Sequence, residues 1–207
     1  MKPTYELLIG TTNQGKFAEI SEVLSMLPIK LFTPDDLSIT EHPEETGSNY
    51  EENARLKCDF YAQKSNLPTL AEDSGIEIAA FPNELGFKTR RWGAGAHATD
   101  EEWLTHFLTE LKKHPEELHR ATFVCTAAFK LPHNDTIHIF QGACPGRLLT
   151  TPQTAVPHGI PLSSCFIPDG FDNVYSALTP EEKNRISHRG RAMHQVRDFI
   201  ENNLFIS

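Results

Sequence analysis

Three clusters in the chain hold residue types that do chemistry together. The first is Thr11-Thr12-Asn13-Gln14-Gly15-Lys16, where an apolar run from Leu7 breaks at Gly10 and resumes with helical spacing at Phe17, Ile20, Val23 and Leu24. A strand-to-helix junction offers free backbone N–H groups and the positive end of a helix dipole, a ready anion site. Gly15 permits close backbone approach, Lys16 adds a point charge, and Thr11, Thr12 and Asn13 add hydrogen bonds. The spacing G-x-x-x-x-G-K-[ST] is lacking, so this is not a Walker loop. Taken alone, the segment reads equally well as an ordinary βα turn with a solvent lysine.

The second cluster is acidic: Glu44-Glu45-Thr46-Gly47, then Glu51 and Glu52, then Glu72-Asp73-Ser74-Gly75. Hard cations such as Mg²⁺ take a few carboxylate oxygens and keep waters that phosphate can replace. Leu70-Ala71 ahead of Glu72-Asp73 puts carboxylates at a strand terminus, where α/β folds bind ligands. By themselves Glu44 and Glu45 read as a solvated run, and Asp73 reads as a turn aspartate before Gly75. The third cluster gathers Lys183, Arg185, His188, Arg189 and Arg191. Lys183, His188 and Arg189 can converge on phosphates, with Arg189 giving a planar fork. The bland alternative is a charged helix face with pairs such as Glu181–Arg185.

The elements that must position these groups follow from the hydrophobic pattern. Tyr5–Ile9 reads as a buried strand, Gly15–Leu27 as an amphipathic helix ended by Pro28, and Ile29–Phe32 as a second strand. A polar, acidic surface excursion leads to a helix over Tyr50–Lys64, capped by Ser48 or Asn49, with Ala54, Leu56, Phe60 and Tyr61 as candidate buried positions. Leu70–Ala71 leads into Glu72-Asp73-Ser74-Gly75, and Ile76–Phe81 alternates like a strand. A glycine-rich loop from Arg90 enters a helix at about Asp100, capped by Thr99 or Asp100. Ala121–Leu131 and Thr136–Ala143 form a predicted hairpin, with a strand-like Gly146–Leu149 after it. Thr179 and Pro180 mark a helix start, with the hydroxyl at N-cap and proline at N1. Ser187 makes a turn with an N-cap ahead of the last helix, His188 or Arg189 to about Asn202. Helices alternating with strands around a central hairpin make a mixed α/β fold.

Composition narrows the function. With 207 residues and a formal charge of −9, the chain has room for a large core and no global basic field to recruit nucleic acid or anionic membrane. Cys58, Cys125, Cys144 and Cys165 are spread without C-x-x-C spacing, which argues against a zinc site or a disulfide framework. No segment has the length of a membrane span or the form of a signal peptide, so a reducing cytoplasm is the expected setting.

Read in order, the clusters resemble the Ham1-type inosine triphosphate pyrophosphatases. "TTNQGK" is similar to that family's T-x-N-x-G-K, "EETGSNYEENA" to its E-T-G-x-x-x-x-E-N-A, and "EDSGIEI" to its D-S-G-L-x-[IV]. "RRWGAGAHATDEE" is similar to its A-R-[YW]-A-G-x-x-A-T-D, and "LTPEEKNRISHRGRAM" to its L-x-x-E-E-K-N-x-I-S-H-R-G-x-A. The matches keep the family's order over nearly the whole chain. The resemblance implies one domain over residues 1–207 with a two-lobed mixed α/β fold, a long central mixed sheet flanked by helices, and a substrate cleft between the lobes. It implies a homodimer that hydrolyses a nucleoside triphosphate to the monophosphate and pyrophosphate with Mg²⁺. Thr11, Thr12, Asn13, Gln14, Gly15 and Lys16 then match the phosphate loop, and Glu45 and Asp73 the metal ligands. Asp73 also matches the general base, Ser74 a substrate contact, and Lys183, His188 and Arg189 contacts to the nucleotide.

One segment departs from the pattern. Where the family carries an aromatic-Gly-aromatic-Asp-Pro run that stacks on and reads the base, this chain has Gly159-Ile160-Pro161-Leu162. Aromatic stacking is worth about 1–3 kcal/mol per base, and the missing carboxylate removes a hydrogen-bond acceptor. Three readings follow: a pyrophosphatase redirected to a modified or non-purine nucleotide, a hydrolase that reads purines with other residues, or a nucleotide-binding sensor with little turnover. The pairing of Asp73, Glu45 and Lys16 favours an enzyme. Trp92 is a candidate replacement for the stacking partner and also fits a core or interface aromatic. Thr89-Arg90 replaces the family's Ser-Ala at the expected subunit contact.

Overall fold

A computed structural model describes residues 5–89, 92–95 and 97–205. Strand β1 (Tyr5–Ile9) runs parallel to β2 (Ile29–Phe32) on one side and β3 (Thr69–Ile78) on the other. Parallel neighbours need crossovers, here helices α1 (Gln14–Leu24) and α2 (Tyr50–Ser65). From β3 onward the sheet is antiparallel through β4 (Arg120–Lys130), β5 (Ile137–Leu148) and β6 (Phe166–Pro168), in the order β2-β1-β3-β4-β5-β6. Helices α3 (Asp100–Leu111), α4 (Pro180–Ile186) and α5 (His188–Leu204) complete the mixed α/β architecture.

The parallel half of the sheet stops early, and that opens the cleft. β1 pairs with β3 only at Leu8↔Thr69 and Ile9↔Leu70, after which Gly10 turns away toward α1. β3 continues on β4 alone, with Asp73 opposite Thr126 and Ser74 opposite Cys125, until an isolated bridge joins Ile76 to Gly86. Residues 71–75 therefore have strand on one edge and a crevice on the other, the usual binding place in such sheets. The sequence pattern stops the strand at Glu72. The structure carries it unbroken through Asp73 and Ser74, because the antiparallel partner keeps pairing where the parallel one has left. Likewise the predicted strand Gly146–Leu149 is the far end of β5.

The two largest of the four buried apolar clusters among the described residues give the fold two lobes. One packs α1 and α5 against the sheet through Leu7, Ile9, Ile20, Phe129, Met193 and Val196. The other joins α3 to the far ends of β3 and β4 and to β6, through Ile76, Phe81, Trp103, Phe107, Phe166 and Tyr175. Helix starts follow the expected chemistry: Asn13 caps α1 and Asn49 caps α2. Thr99 with Glu102, and Thr179 with Glu182, form capping boxes for α3 and α4. Ser187 caps α5 by accepting from the Gly190 N–H at 2.9 Å.

The expected inward face of α2 needs correcting. Ala54 and Tyr61 are buried, but Leu56 is exposed and Phe60 half-buried, while Asn53 and Lys57 point inward. Their i,i+4 spacing sets both polar ends on the face that meets Asp73. The four cysteines are buried free thiols. Among the described residues no helix is long and apolar enough to cross a membrane. Arg90, Arg91 and Ala96 of the glycine-rich loop lie outside the described residues, and with them half of the Thr89-Arg90 departure.

Candidate active site

A cavity of about 410 Å³ lies at the crevice, and all three clusters reach it. From the first, Thr11, Thr12, Asn13 and Lys16 line the wall. Asn13 does two jobs there: its Oδ1 accepts from the Lys16 N–H at 3.0 Å, and its Nδ2 donates to the Gly159 carbonyl at 2.9 Å. The Lys16 ammonium sits 2.7 Å from Glu72 Oε1. Gln14 is exposed at the first position of α1, outside the cavity lining. Gly15 allows a close approach, but to protein: a Cβ there would stand 2.7 Å from the His158 carbonyl oxygen.

The acidic cluster meets at a single ammonium. Lys57 Nζ is 2.9 Å from Asp73 Oδ1 and 3.0 Å from Glu45 Oε1, and Asn53 Nδ2 donates to Asp73 Oδ2 at 3.2 Å. Burial raises the Asp73 pKa above its ordinary value, and the Lys57 charge offsets only part of that shift. Burial works against the charge on Lys57, but Asp73, Glu72 and Glu45 outweigh it and raise its pKa. Two carboxylates sharing one cation make an oxygen-donor pair suited to a hard ion, so Glu45 and Asp73 fit Mg²⁺ by donor type. Among the described residues no third His, Cys, Asp or Glu joins them as a potential ligand.

The C-terminal cluster closes the far wall. Arg189 is buried, pairs with Glu19, donates to Ser74 Oγ at 3.0 Å and lies 3.6 Å from Glu72 Oε1. Lys183 Nζ joins the same Glu19 at 2.5 Å and stands 5.5 Å from the Tyr175 ring centroid. Burial would raise the Glu19 carboxyl, yet Arg189 and Lys183 outweigh it and hold the pKa at about 2. His188 stacks flat on Phe123 with centroids 4.8 Å apart, and burial followed by the Arg189 charge pushes its pKa down to about 3. It is a neutral ring at physiological pH.

The segment that departs from the family pattern forms the other end of the cavity. Ile160, Pro161, Leu162 and Ser163 line it together with Trp103, Phe123 and Tyr175. Gly159 takes a left-handed backbone (φ 76°) and donates its N–H to Asp100 Oδ2 at 2.7 Å. This end therefore has aromatic walls without an aromatic in the Gly159–Leu162 segment. Trp92 does not supply them: it packs on Phe81, His106 and Phe107 in the lobe core and donates to Glu84 Oε2 at 3.3 Å.

Of the residues singled out in the sequence, Thr11, Thr12, Asn13, Lys16, Glu45, Asp73, Ser74, Lys183, His188 and Arg189 surround one cavity, while Gln14 and Gly15 do not. The pattern did not single out Glu19, Asn53, Lys57, Trp103 or Tyr175. The i,i+4 polar pair Asn53–Lys57 on an otherwise apolar helix face was the available signal. Glu19, in the middle of α1, carried none.

Residues 7–199 match the Ham1 family. A dITP/XTP pyrophosphatase of Halalkalibacterium halodurans is 33% identical over 196 residues, spanning 95% of this chain and 99% of that protein. Another from Lactobacillus johnsonii is 37% identical over 194 residues, spanning 92% of each chain. Among solved structures, a HAM1 protein from Coxiella burnetii matches with a TM-score of 0.81 at 32% identity, over 96% of this chain and 100% of that one. The Ham1 protein of Staphylococcus aureus matches with a TM-score of 0.78 at 29% identity, over 95% and 98%. Fold and sequence agree, and the chain belongs to the Ham1 family.

Proposed function

We propose that this chain hydrolyses non-canonical purine nucleoside triphosphates to the monophosphate and pyrophosphate, cleaning the nucleotide pool. One observation carries the reading: a cation-bridged carboxylate pair, Glu45 and Asp73, shares a cavity with Lys16, Lys183 and Arg189. The scaffold is that of a family whose curated relatives are named dITP/XTP pyrophosphatases.

The chemistry follows from the placements. Phosphoryl transfer needs positioning and charge neutralisation more than covalent catalysis. Lys16, Lys183 and Arg189 supply positive charge for the triphosphate and for the pyrophosphate that leaves. Asp73 accepts the proton of the attacking water as the water oxygen bonds to phosphorus and the α–β anhydride breaks. A carboxyl raised by burial is a better base than an ordinary one. Asn53 and Lys57 fix its orientation from the facing helix. Mg²⁺ held by Glu45 and Asp73 would supply further charge neutralisation on the phosphate oxygens. The family likeness also supports a homodimer, which light scattering on the purified protein tests.

Pyrophosphate release with Mg²⁺ from inosine, xanthosine and the common triphosphates tests the assignment. The expected result is turnover of ITP and XTP, abolished in Asp73→Asn. Orthophosphate as the first product, or no turnover of any triphosphate, would overturn it.

A further inference from the structure

The basic side chains of the cavity wall are not all spent on carboxylates. Lys16, Lys57, Lys183 and Arg189 are each committed to Glu19, Glu45, Glu72 or Asp73 in ion pairs. His188 is a neutral ring stacked on Phe123. His42 also lines the cavity, is exposed, and stands in no ion pair among the described residues. Its Nδ1 lies 3.4 Å from Tyr61 Oη, the hydroxyl's one hydrogen-bond contact among the described residues. Tyr61 is 3% exposed, so its proton needs a local acceptor, and donation to Nδ1 meets that need. The hydrogen of the neutral imidazole is then on Nε2, and in the charged ring Nε2 carries one too. Tyr61 therefore leaves His42 with a donor for an incoming ligand in either state.

We propose that His42, oriented by Tyr61, donates from Nε2 to the terminal phosphate of the substrate and so favours a triphosphate over a diphosphate. The proposal rests on the triphosphate hydrolysis argued above and adds a residue that senses the length of the phosphate chain. Its place in the cavity carries the assignment. Asn13, at the α1 end of the β1–α1 loop, donates to Gly159 beside the apolar walls. Gly10, at the β1 end, packs on the Tyr61 ring, where a Cβ would stand 2.6 Å from Cδ2. Asn53, Lys57 and Tyr61 form one i, i+4, i+8 stripe of α2, of which the first two hold Asp73 and the third holds His42. A nucleotide with its base at the apolar end and its α-phosphorus at Asp73 thus points its last phosphate toward His42. The segment is fixed before a ligand arrives. Glu41 pairs with Lys64 and Glu45 with Lys57 on either side of His42, and Ile39 is buried with Tyr61 and Leu8. Pro43 restricts the His42 backbone to extended forms.

The test compares ITP with IDP, which present the same base and the same α-phosphorus and differ by the terminal phosphate. IMP formation gives kcat and KM for both, and titration calorimetry in an Asp73→Asn background gives Kd for both. The wild type should prefer ITP. His42→Ala should lower the ITP:IDP ratio of kcat/KM about 3–10-fold, through KM, and move the Kd ratio alike. His42→Gln, whose amide nitrogen takes the place of Nε2, should keep most of both ratios. Tyr61→Phe keeps the ring on Gly10 and removes the hydroxyl, so it should shift the ratios the same way by about 3-fold or less. Equal losses for ITP and IDP in His42→Ala, or ratios unmoved in both His42→Ala and Tyr61→Phe, would overturn the inference and leave the hydrolysis standing. Ratios that move in Kd without IMP formation from either nucleotide would sustain it and sink the proposed hydrolysis.

Discussion

At one end of the cavity four cations, Lys16, Lys57, Lys183 and Arg189, meet four carboxylates, Glu19, Glu45, Glu72 and Asp73, in two sets of ion pairs, one running Lys16–Glu72–Arg189–Glu19–Lys183 and the other Glu45–Lys57–Asp73. At the other, Leu162, Phe123 and Trp103 line the cavity with apolar side chains, and the buried Trp103 indole N–H has no hydrogen-bond partner among the described residues. The first end is electrostatically complete before any ligand arrives, so a triphosphate and its metal must trade places with existing pairs. The second is sterically formed but leaves hydrogen bonding open. The charged end should therefore tolerate substitution badly in both activity and folding, and the apolar end should show its losses chiefly in choice of substrate.

The largest effect is expected where chemistry and pairing coincide. Asp73→Asn removes the proposed base and should lower kcat for pyrophosphate release by about 10²–10⁴-fold. A loss under tenfold would move the base elsewhere and dissolve the contrast in activity.

Arg189→Met tests the folding half of the comparison. It leaves Glu19 and Glu72 without their shared guanidinium in a buried setting, and breaking a buried pair by removing one partner costs about 3–5 kcal/mol. The internal control is Arg120, whose fork grips Asp169 at 2.6 and 2.8 Å in solvent. Arg120→Ala should cost about 1 kcal/mol or less. Urea unfolding of both variants measures the difference, and equal losses would mean that burial of the network contributes nothing.

How much of this contrast was legible in the sequence differs between the ends. The charged end was largely readable, because Thr11–Lys16, Glu45, Asp73 and Lys183–Arg189 stand in local runs whose residue types declare their chemistry. What escaped was the countercharge. Glu19 and Lys57 sit singly within helices, where one charged residue reads as solvated surface, and only the sheet geometry turns them inward. The strand through Asp73 escaped for a related reason: its pairing is set by β4, about fifty positions later, rather than by local alternation. At the apolar end the absence of an aromatic at Gly159–Leu162 was visible. That Trp103 lines the cavity was not, because at helical spacing it looks like ordinary core, and most of its surface is just that.

Acid stability gives a smaller effect with a definite sign. The folded pKa of His188, pushed down to about 3 by burial and then by Arg189, lies below its unfolded value of 6.5. Below pH 6.5 the unfolded chain takes up a proton that the folded chain refuses, so stability falls with pH by about 1.4 kcal/mol per unit. Glu19 is lowered from 4.5 to about 2, so its contribution is intact above 4.5 and is lost as pH falls toward 2. Between pH 6.5 and 5 the wild type should lose about 2 kcal/mol more than His188→Gln, read from urea midpoints at several pH values. Parallel pH curves would place a charged imidazole in the folded site.

The smallest predicted effect concerns the joint between the two ends. Gly159 donates its N–H to Asp100 and accepts from Asn13 Nδ2, so one residue ties the start of α3 to the loop that caps α1. Its φ of 76° disfavours any side chain, and a Cβ there would press on the Asn13 amide. Gly159→Ala should cost about 1–2 kcal/mol, from left-handed strain and the displaced amide. The cost should surface at both ends. Asn13 also holds the Lys16 N–H, so KM for every triphosphate should rise a few-fold together, while the kcat/KM ratios between triphosphates of different base stay near those of the wild type. Were the ratios to move instead, Gly159 would belong to base selection itself, and the boundary between the charged and apolar ends would have to be redrawn on its N-terminal side.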